Sequence, residues 1–296
     1  MTKFVELLIQ GVSLGFIYAL IALGFVVIFK ATEVVNFAHG SLLLLGGYII
    51  GISHQRFGFW LGLLFGIVAA GVGALLIEVV FVRRLRGRDA NSLAILTIGI
   101  DIILLAELTR RIGSNVLNTG DPWGSKLLSL AGFSVPESRI AAIIVAIVLM
   151  GLFFAAFKFS SWGVSTRAAA EDSEAAALMG IRLGRVSMLS WVIAGVLAAI
   201  AALFLVAFPT PGLTNTTGLI AFRAFPAAIL GGLDSTGGAL VGGIVVGLAE
   251  TLTSGYEDKF PFLGGGFGSI MPYIVMILVL LWRPSGLFGT KEIARV

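Results

Sequence analysis

Nine apolar stretches, most of them separated by short polar segments, dominate this chain and restrict it to one kind of solvent. They run over roughly 7–29, 34–52, 58–82, 91–109, 139–159, 187–208, 218–232, 238–254 and 267–283. A helix needs about 20 apolar residues to cross a hydrocarbon core about 30 Å thick, and in lipid its backbone groups must bond internally. Hydrophobic residues make up 58% of the 296 and charged ones only 12%, too few to cover a soluble surface. The chain is therefore read as an all-α polytopic membrane protein, one transmembrane domain over 1–296 with eight to nine crossings. The stretches at 34–52 and 218–232 are rich in glycine and carry a polar cluster or a proline. Short, broken or re-entrant helices are expected there.

Charge sets the expected orientation. Arg83, Arg84, Arg86 and Arg88 crowd one short loop, and Arg283, Lys291 and Arg295 occupy the tail, so both should be cytoplasmic. Parity then places 160–186 on the same side and 110–138 outside, where Pro122 and Trp123 suit an interface. Arg110 and Arg111 run against this scheme, because they fall at an outer helix end. The net charge of +4 suits anionic lipid headgroups, and no basic face interleaved with aromatics points to nucleic acid. The absence of cysteine excludes disulfides, thiol catalysis and thiolate metal sites. The apolar run up to Phe29 is too long for a signal-peptide core and is expected to remain as a helix.

Glycine occurs 39 times, often four apart: Gly11/Gly15, Gly58/Gly62/Gly66, Gly238/Gly242 and Gly243/Gly247. Small residues at that spacing let helix backbones approach closely in lipid, so most of these are packing positions. Gly46–Gly51 and Gly242–Gly247 share GGxxxG, a faint internal repeat suggesting two weakly related halves.

The longest polar segment, 160–186, reads SSWGVSTRAAAEDSEAAALMGIRLGRV. Ser173 can cap a helix, Glu174 then favours the positive dipole end, and Gly180 supplies the residue that ends it. Such a helix of about two turns is too short to be stable alone and must be held by contact. Small side chains at Ala175 and Ala176 would let it settle into a groove, with Arg167, Asp172, Glu174 and Arg182 as polar edges. The alternative is an ordinary alanine-rich loop.

The stretches GVSLGFIYALIALGFVVIFKATEVVNFAHG (11–40), AAAEDSEAAALMGI (168–181), FRAFPAAILGGLDSTGGALVGGIVVGLAE (222–250) and LLWRPSGLFG (280–289) carry a resemblance. Together they make the chain similar to the integral-membrane permeases of bacterial branched-chain amino-acid ABC importers. EAAxxxG at Glu174–Gly180 is the form in which such permeases dock an ATPase, although the Leu-Pro continuation of other importer classes is missing. The resemblance implies a second homologous permease, two cytoplasmic ATPases that hold ATP and Mg, a periplasmic substrate-binding protein, and an inner-membrane location. This chain itself needs no cofactor: it has no GxxxxGK[ST] phosphate loop and no catalytic triad, and it is expected not to be an enzyme. Leucine, isoleucine and valine are the implied cargo, with urea, amides and aromatic acids as alternatives.

Path residues are sought among polar and aromatic groups in the weak spans. Asn36 and His39, three apart, share a face if helical, either lining a path or fixing a broken helix by hydrogen bonds. Arg223 either attracts a cargo carboxylate near the outer mouth or anchors an interface. Phe37, Phe222 and Phe225 suit an apolar passage. Asp101 sits in mid-span, where an unpaired carboxylate costs about 3 kcal/mol. With His39 it supports the competing reading, a self-sufficient ion-coupled carrier or channel. Glu78 is expected to pair with Arg83 or Arg84, and Glu250 to approach the outer loop.

Overall fold

The computed structural model describes residues 2–85, 90–123, 126–130, 133–207, 211–259 and 265–290. Arg86, Arg88, Lys291 and Arg295, four of the charges used to orient the chain, lie outside these. Eleven α-helices are present among the described residues: α1 (Thr2–Thr32), α2 (His39–Phe57), α3 (Phe59–Val80), α4 (Ala90–Ile112), α5 (Glu137–Phe159), α6 (Ser161–Glu171), α7 (Ser173–Leu178), α8 (Leu183–Leu205), α9 (Thr217–Gly231), α10 (Thr236–Gly255) and α11 (Met271–Trp282). Each of the nine apolar stretches falls on one of them. Six helices (α1, α3, α4, α5, α8 and α10) are long and apolar enough to cross a bilayer by themselves.

One departure from an all-helical chain is a small antiparallel hairpin, β1 (Leu127–Leu130) with β2 (Phe133–Pro136), in register Leu127 to Pro136. The 160–186 segment, where one helix of about two turns was expected, holds two, α6 and α7.

α1 and α8 form the middle of the bundle. Ile17 through Ile28 are almost wholly enclosed, as are Trp191 and Ala198–Ala202, whereas α3, α4 and α5 expose rows such as Leu64/Val68/Val72 and Ile144/Ile147/Val148. Apolar outside and apolar inside is the pattern of a protein solvated by lipid. α1 packs along α10 as α8 packs along α3, while α2 lies on α8 and α9 on α1. Two three-helix units, α1–α3 and α8–α10, thus exchange their third helices. The two GGxxxG matches lie on α2 and α10. Those glycines serve packing. A Cβ on Gly15 would come 2.7 Å from the Ile244 Cα, and one on Gly247 would overlap the backbone of Gly15.

The ends of the bundle are distinguished by what they carry. At one, Lys30 Nζ donates to the Asp234 carbonyl (2.7 Å), and α6 and the segment through Thr290 close round the same place, leaving an open basin of about 600 Å³. At the other, Leu117 bridges Leu213 and Asn215 donates to the Gly113 carbonyl. Arg110 and Arg111, which oppose the charge-based orientation, are both bound to Glu107 at 2.9 and 2.6 Å. Glu107 therefore offsets charge at that helix end. Glu78, in the last turn of α3, is fully enclosed.

Candidate functional site

The weak second span begins inside the bundle. α1 ends where Glu33 takes a left-handed conformation (φ 56°), its N–H donating to the Phe29 carbonyl at 2.7 Å. Residues 34–38 are non-helical, and α2 starts at His39. His39 packs against Gly24 and over Phe25, ring centroids 4.6 Å apart, about two turns before α1 finishes. The first N–H groups of a helix lack intrahelical partners, and buried ones must be served by something. α4 supplies much of that service. Thr97 Oγ1 accepts from the Phe37 N–H (3.2 Å), and Asp101 Oδ1, one turn along, accepts from the Ser41 N–H (3.2 Å). Asn36 Oδ1 accepts from the Ala38 N–H at 3.0 Å.

Asn36 thus makes an Asx turn in the break before α2, and is not the helical face-mate of His39 that their spacing suggested. The residues between them cannot continue α1, because their N–H groups bond to side chains. Both Asn36 and His39 are fully buried. Among the described residues Asn36 Nδ2 has no partner, and the His39 ring faces the Ile21 carbonyl without hydrogen-bond alignment.

α9, the weak seventh span, meets this break. A Cβ on Gly40 would sit 2.8 Å from the Gly218 carbonyl oxygen and 3.1 Å from the Phe222 ring, so α2 and α9 cross backbone to backbone. Phe225 lies 5.1 Å from Phe25 and 5.9 Å from Phe37. Five of the six candidate path residues, Asn36, Phe37, His39, Phe222 and Phe225, therefore converge. Arg223 does not. Its Nη1 is bound to Glu250 (3.0 Å), whose other oxygen accepts from the Tyr18 hydroxyl (2.7 Å). Glu250 accordingly faces α1 and α9 rather than an outer loop, and Arg223 is engaged at the helix interface.

The polar segment is built from two capped helices. Ser160 Oγ accepts from the Gly163 N–H (3.1 Å) to start α6. Asp172, not Ser173, caps α7, accepting from the Ala175 N–H at 2.9 Å. At the far end Gly180 (φ 85°) permits the paired bonds Ile181 N–H to Ala176 O and Gly180 N–H to Ala177 O, both 3.0 Å. Glu174, Ala175 and Gly180 are exposed, but Ala176 is only 4% exposed and packs on its own chain. Its small side chain seats α7 on the bundle instead of fitting an outside groove. Arg167 is exposed but folds back along its own chain, bonding the Phe157 and Lys158 carbonyls at the end of α5. Arg182 is exposed before α8, lining a cleft of about 460 Å³ with Arg185, Trp162 and Met179.

The model of the family described as branched-chain amino acid transport system / permease component matches residues 7–280. The chain belongs to that family. It is 33% identical to the high-affinity branched-chain amino acid transport system permease protein LivH of Escherichia coli K12 over 99% of this chain and 98% of the relative. The corresponding LivH of Salmonella typhimurium is 30% identical over the same shares, and a probable LivH of Methanocaldococcus jannaschii 32% over 94% and 90%. Among solved structures, PsaBC from Streptococcus pneumoniae in complex with Fab is alike in fold, with TM-score 0.50 and 11% identity over 95% of this chain and 91% of that one.

Sequence reasoning missed three residues of this permease that its geometry brings forward. Thr97 looked like any hydroxyl in an apolar run, yet it spaces Asp101 one turn away on the face that meets the break. That i, i+4 pairing of polar residues was the available signal. Leu178 and Met179, at the end of α7, are 89% and 84% exposed in a polar segment. They read as ordinary helix formers, and nothing local marks them as uncovered.

Proposed function

We propose that this chain is the permease subunit of an ATP-driven importer of branched-chain or other hydrophobic amino acids. It works in the inner membrane beside a second, homologous permease, with two cytoplasmic ATPases that hold ATP and Mg and a periplasmic binding protein that delivers cargo. The observation that carries the reading is α7: a six-residue helix, capped at both ends, that presents Leu178 and Met179 to solvent. Side by side on an otherwise polar segment, they are apolar surface that a partner would cover. Glu174, Ala175 and Arg182 form the polar rim of that contact, while Asp172, Ala176 and Gly180 hold α7 in shape and Arg167 ties α6 to α5. α6–α7 and the C-terminal segment face the cytoplasm.

Cargo crosses where α2 and α9 meet, past Phe37, Phe222 and Phe225, by alternating access. A push on α6–α7 reaches that crossing through α6 and Lys30, because Lys30 bonds Asp234 at the turn between α9 and α10. To test this, the tagged chain is purified in mild detergent and reconstituted. Co-purification of two ATPases and a second permease, with leucine uptake that needs ATP, is expected. Uptake by the chain alone on an ion gradient would replace this reading with that of a self-sufficient carrier.

A further inference from the structure

We propose that the first turn of α2 is a carboxylate seat, held by Asp101 in the cargo-free permease and taken over by the cargo's own carboxylate during transport. The inference rests on the amino-acid reading of the cargo and names the group through which it is held. The end of α2 at His39 is the positive end of a 19-residue helix dipole, enclosed by the bundle rather than by water. Its donors attract negative oxygen, and the chain provides one from another helix, with Asp101 Oδ1 on the Ser41 N–H. A carboxylate in a membrane span is expensive, about 3 kcal/mol, and stands here at the place where backbone donors offset that cost.

A buried donor at this turn is still unpaired among the described residues. Asn36 is fully buried and its Oδ1 is spent on the Ala38 N–H, while Nδ2 of the same amide has no partner among the described residues. A second carboxylate arriving at the turn would satisfy it. Beyond the polar groups lie the rings of Phe25, Phe37 and Phe225, which suit an aliphatic side chain. The arrangement selects a molecule with a carboxylate at one end and a compact apolar group at the other. Asp101 fills the anionic half of that description and so competes with the cargo, keeping the empty site closed.

The chain has no cysteine, so Val35→Cys gives this subunit a single thiol next to Asn36. In the assembled complex in nanodiscs, the rate at which a small methanethiosulfonate modifies that thiol is followed on this subunit. Leucine should slow it, and leucinamide should require at least about tenfold more for the same protection, because a bond to a charged acceptor is lost. Asp101→Asn should lower the half-protecting leucine concentration by about tenfold, since the resident competitor is weakened. Equal protection by leucine and leucinamide, or an unchanged half-protecting concentration in Asp101→Asn, overturns the seat. If Asp101→Asn fails to assemble, the comparison of leucine with leucinamide decides alone. A complex that transports leucine without protection of the thiol refutes the seat only; one that does not transport leucine refutes the proposed function.

Discussion

Truncating the tip of α7 separates docking from folding. Leu178 and Met179 are 89% and 84% exposed, so Leu178→Ala with Met179→Ala removes almost nothing from the interior of the free permease. Thermal unfolding of the detergent-solubilised chain should therefore stay where it was. In an ATPase complex the same side chains would be covered. Each truncation removes about three heavy atoms' worth of apolar burial, and at about 0.8 kcal/mol per carbon the pair is worth about 4–5 kcal/mol if fully covered. Allowing for covering of only half that surface leaves about 2 kcal/mol, which is about 30-fold in affinity. The assay is a titration of purified ATPase onto nanodisc-embedded permease, wild type against double variant, by biolayer interferometry. A change of less than about threefold, with the fold intact, would show that these side chains are not the contact and would remove the main support for docking at α7.

Other substitutions test the elements one at a time. Thr97→Val should lower thermal stability by about 1–3 kcal/mol, because the Phe37 N–H loses its acceptor in a buried place, whereas Thr97→Ser should cost little. Gly180→Ala, at φ 85°, should cost α7 about 1–2 kcal/mol and reduce stimulation of the ATPase, with Gly180→Asn milder; membrane insertion should be unaffected in both. Gly15→Val should force α1 and α10 apart, because its Cβ would stand 2.7 Å from Ile244 Cα. A loss of about 3 kcal/mol or more is expected, read as a fall in monodisperse protein on size exclusion.

The two weak spans show how far local reading reaches. Glycine and polar residues around 34–52 led to the expectation of a short, broken or re-entrant helix; the irregularity is the non-helical 34–38, after which α2 runs unbroken from His39. What served the break was not visible, because Thr97 and Asp101 lie about 60 positions along the chain and reach it only through the packing of α4 on α2. The same holds for Arg223. Its sequence neighbours suggested an open mouth, and its partner proved to be Glu250, 27 residues away on another helix. For α7 the cap type was legible, but the capping residue slipped by one position. Asp172 and Ser173 have equal claim by propensity, and only the backbone angle, extended at Asp172, decides between them.

Hydropathy and loop charge, which depend only on local composition, determined that this chain lives in a bilayer, how its helices are spaced, and where its longest polar segment lies. They work from sequence because lipid imposes the same condition on every crossing. Which side chains share a site was decided by tertiary structure alone. α1 and α8 sit at the centre, α2 and α9 cross at glycines, and α4 lends its oxygens to a helix it does not adjoin in sequence. Contacts of that kind depend on how helices cross, and the order of residues along one helix carries no record of the angle at which another meets it.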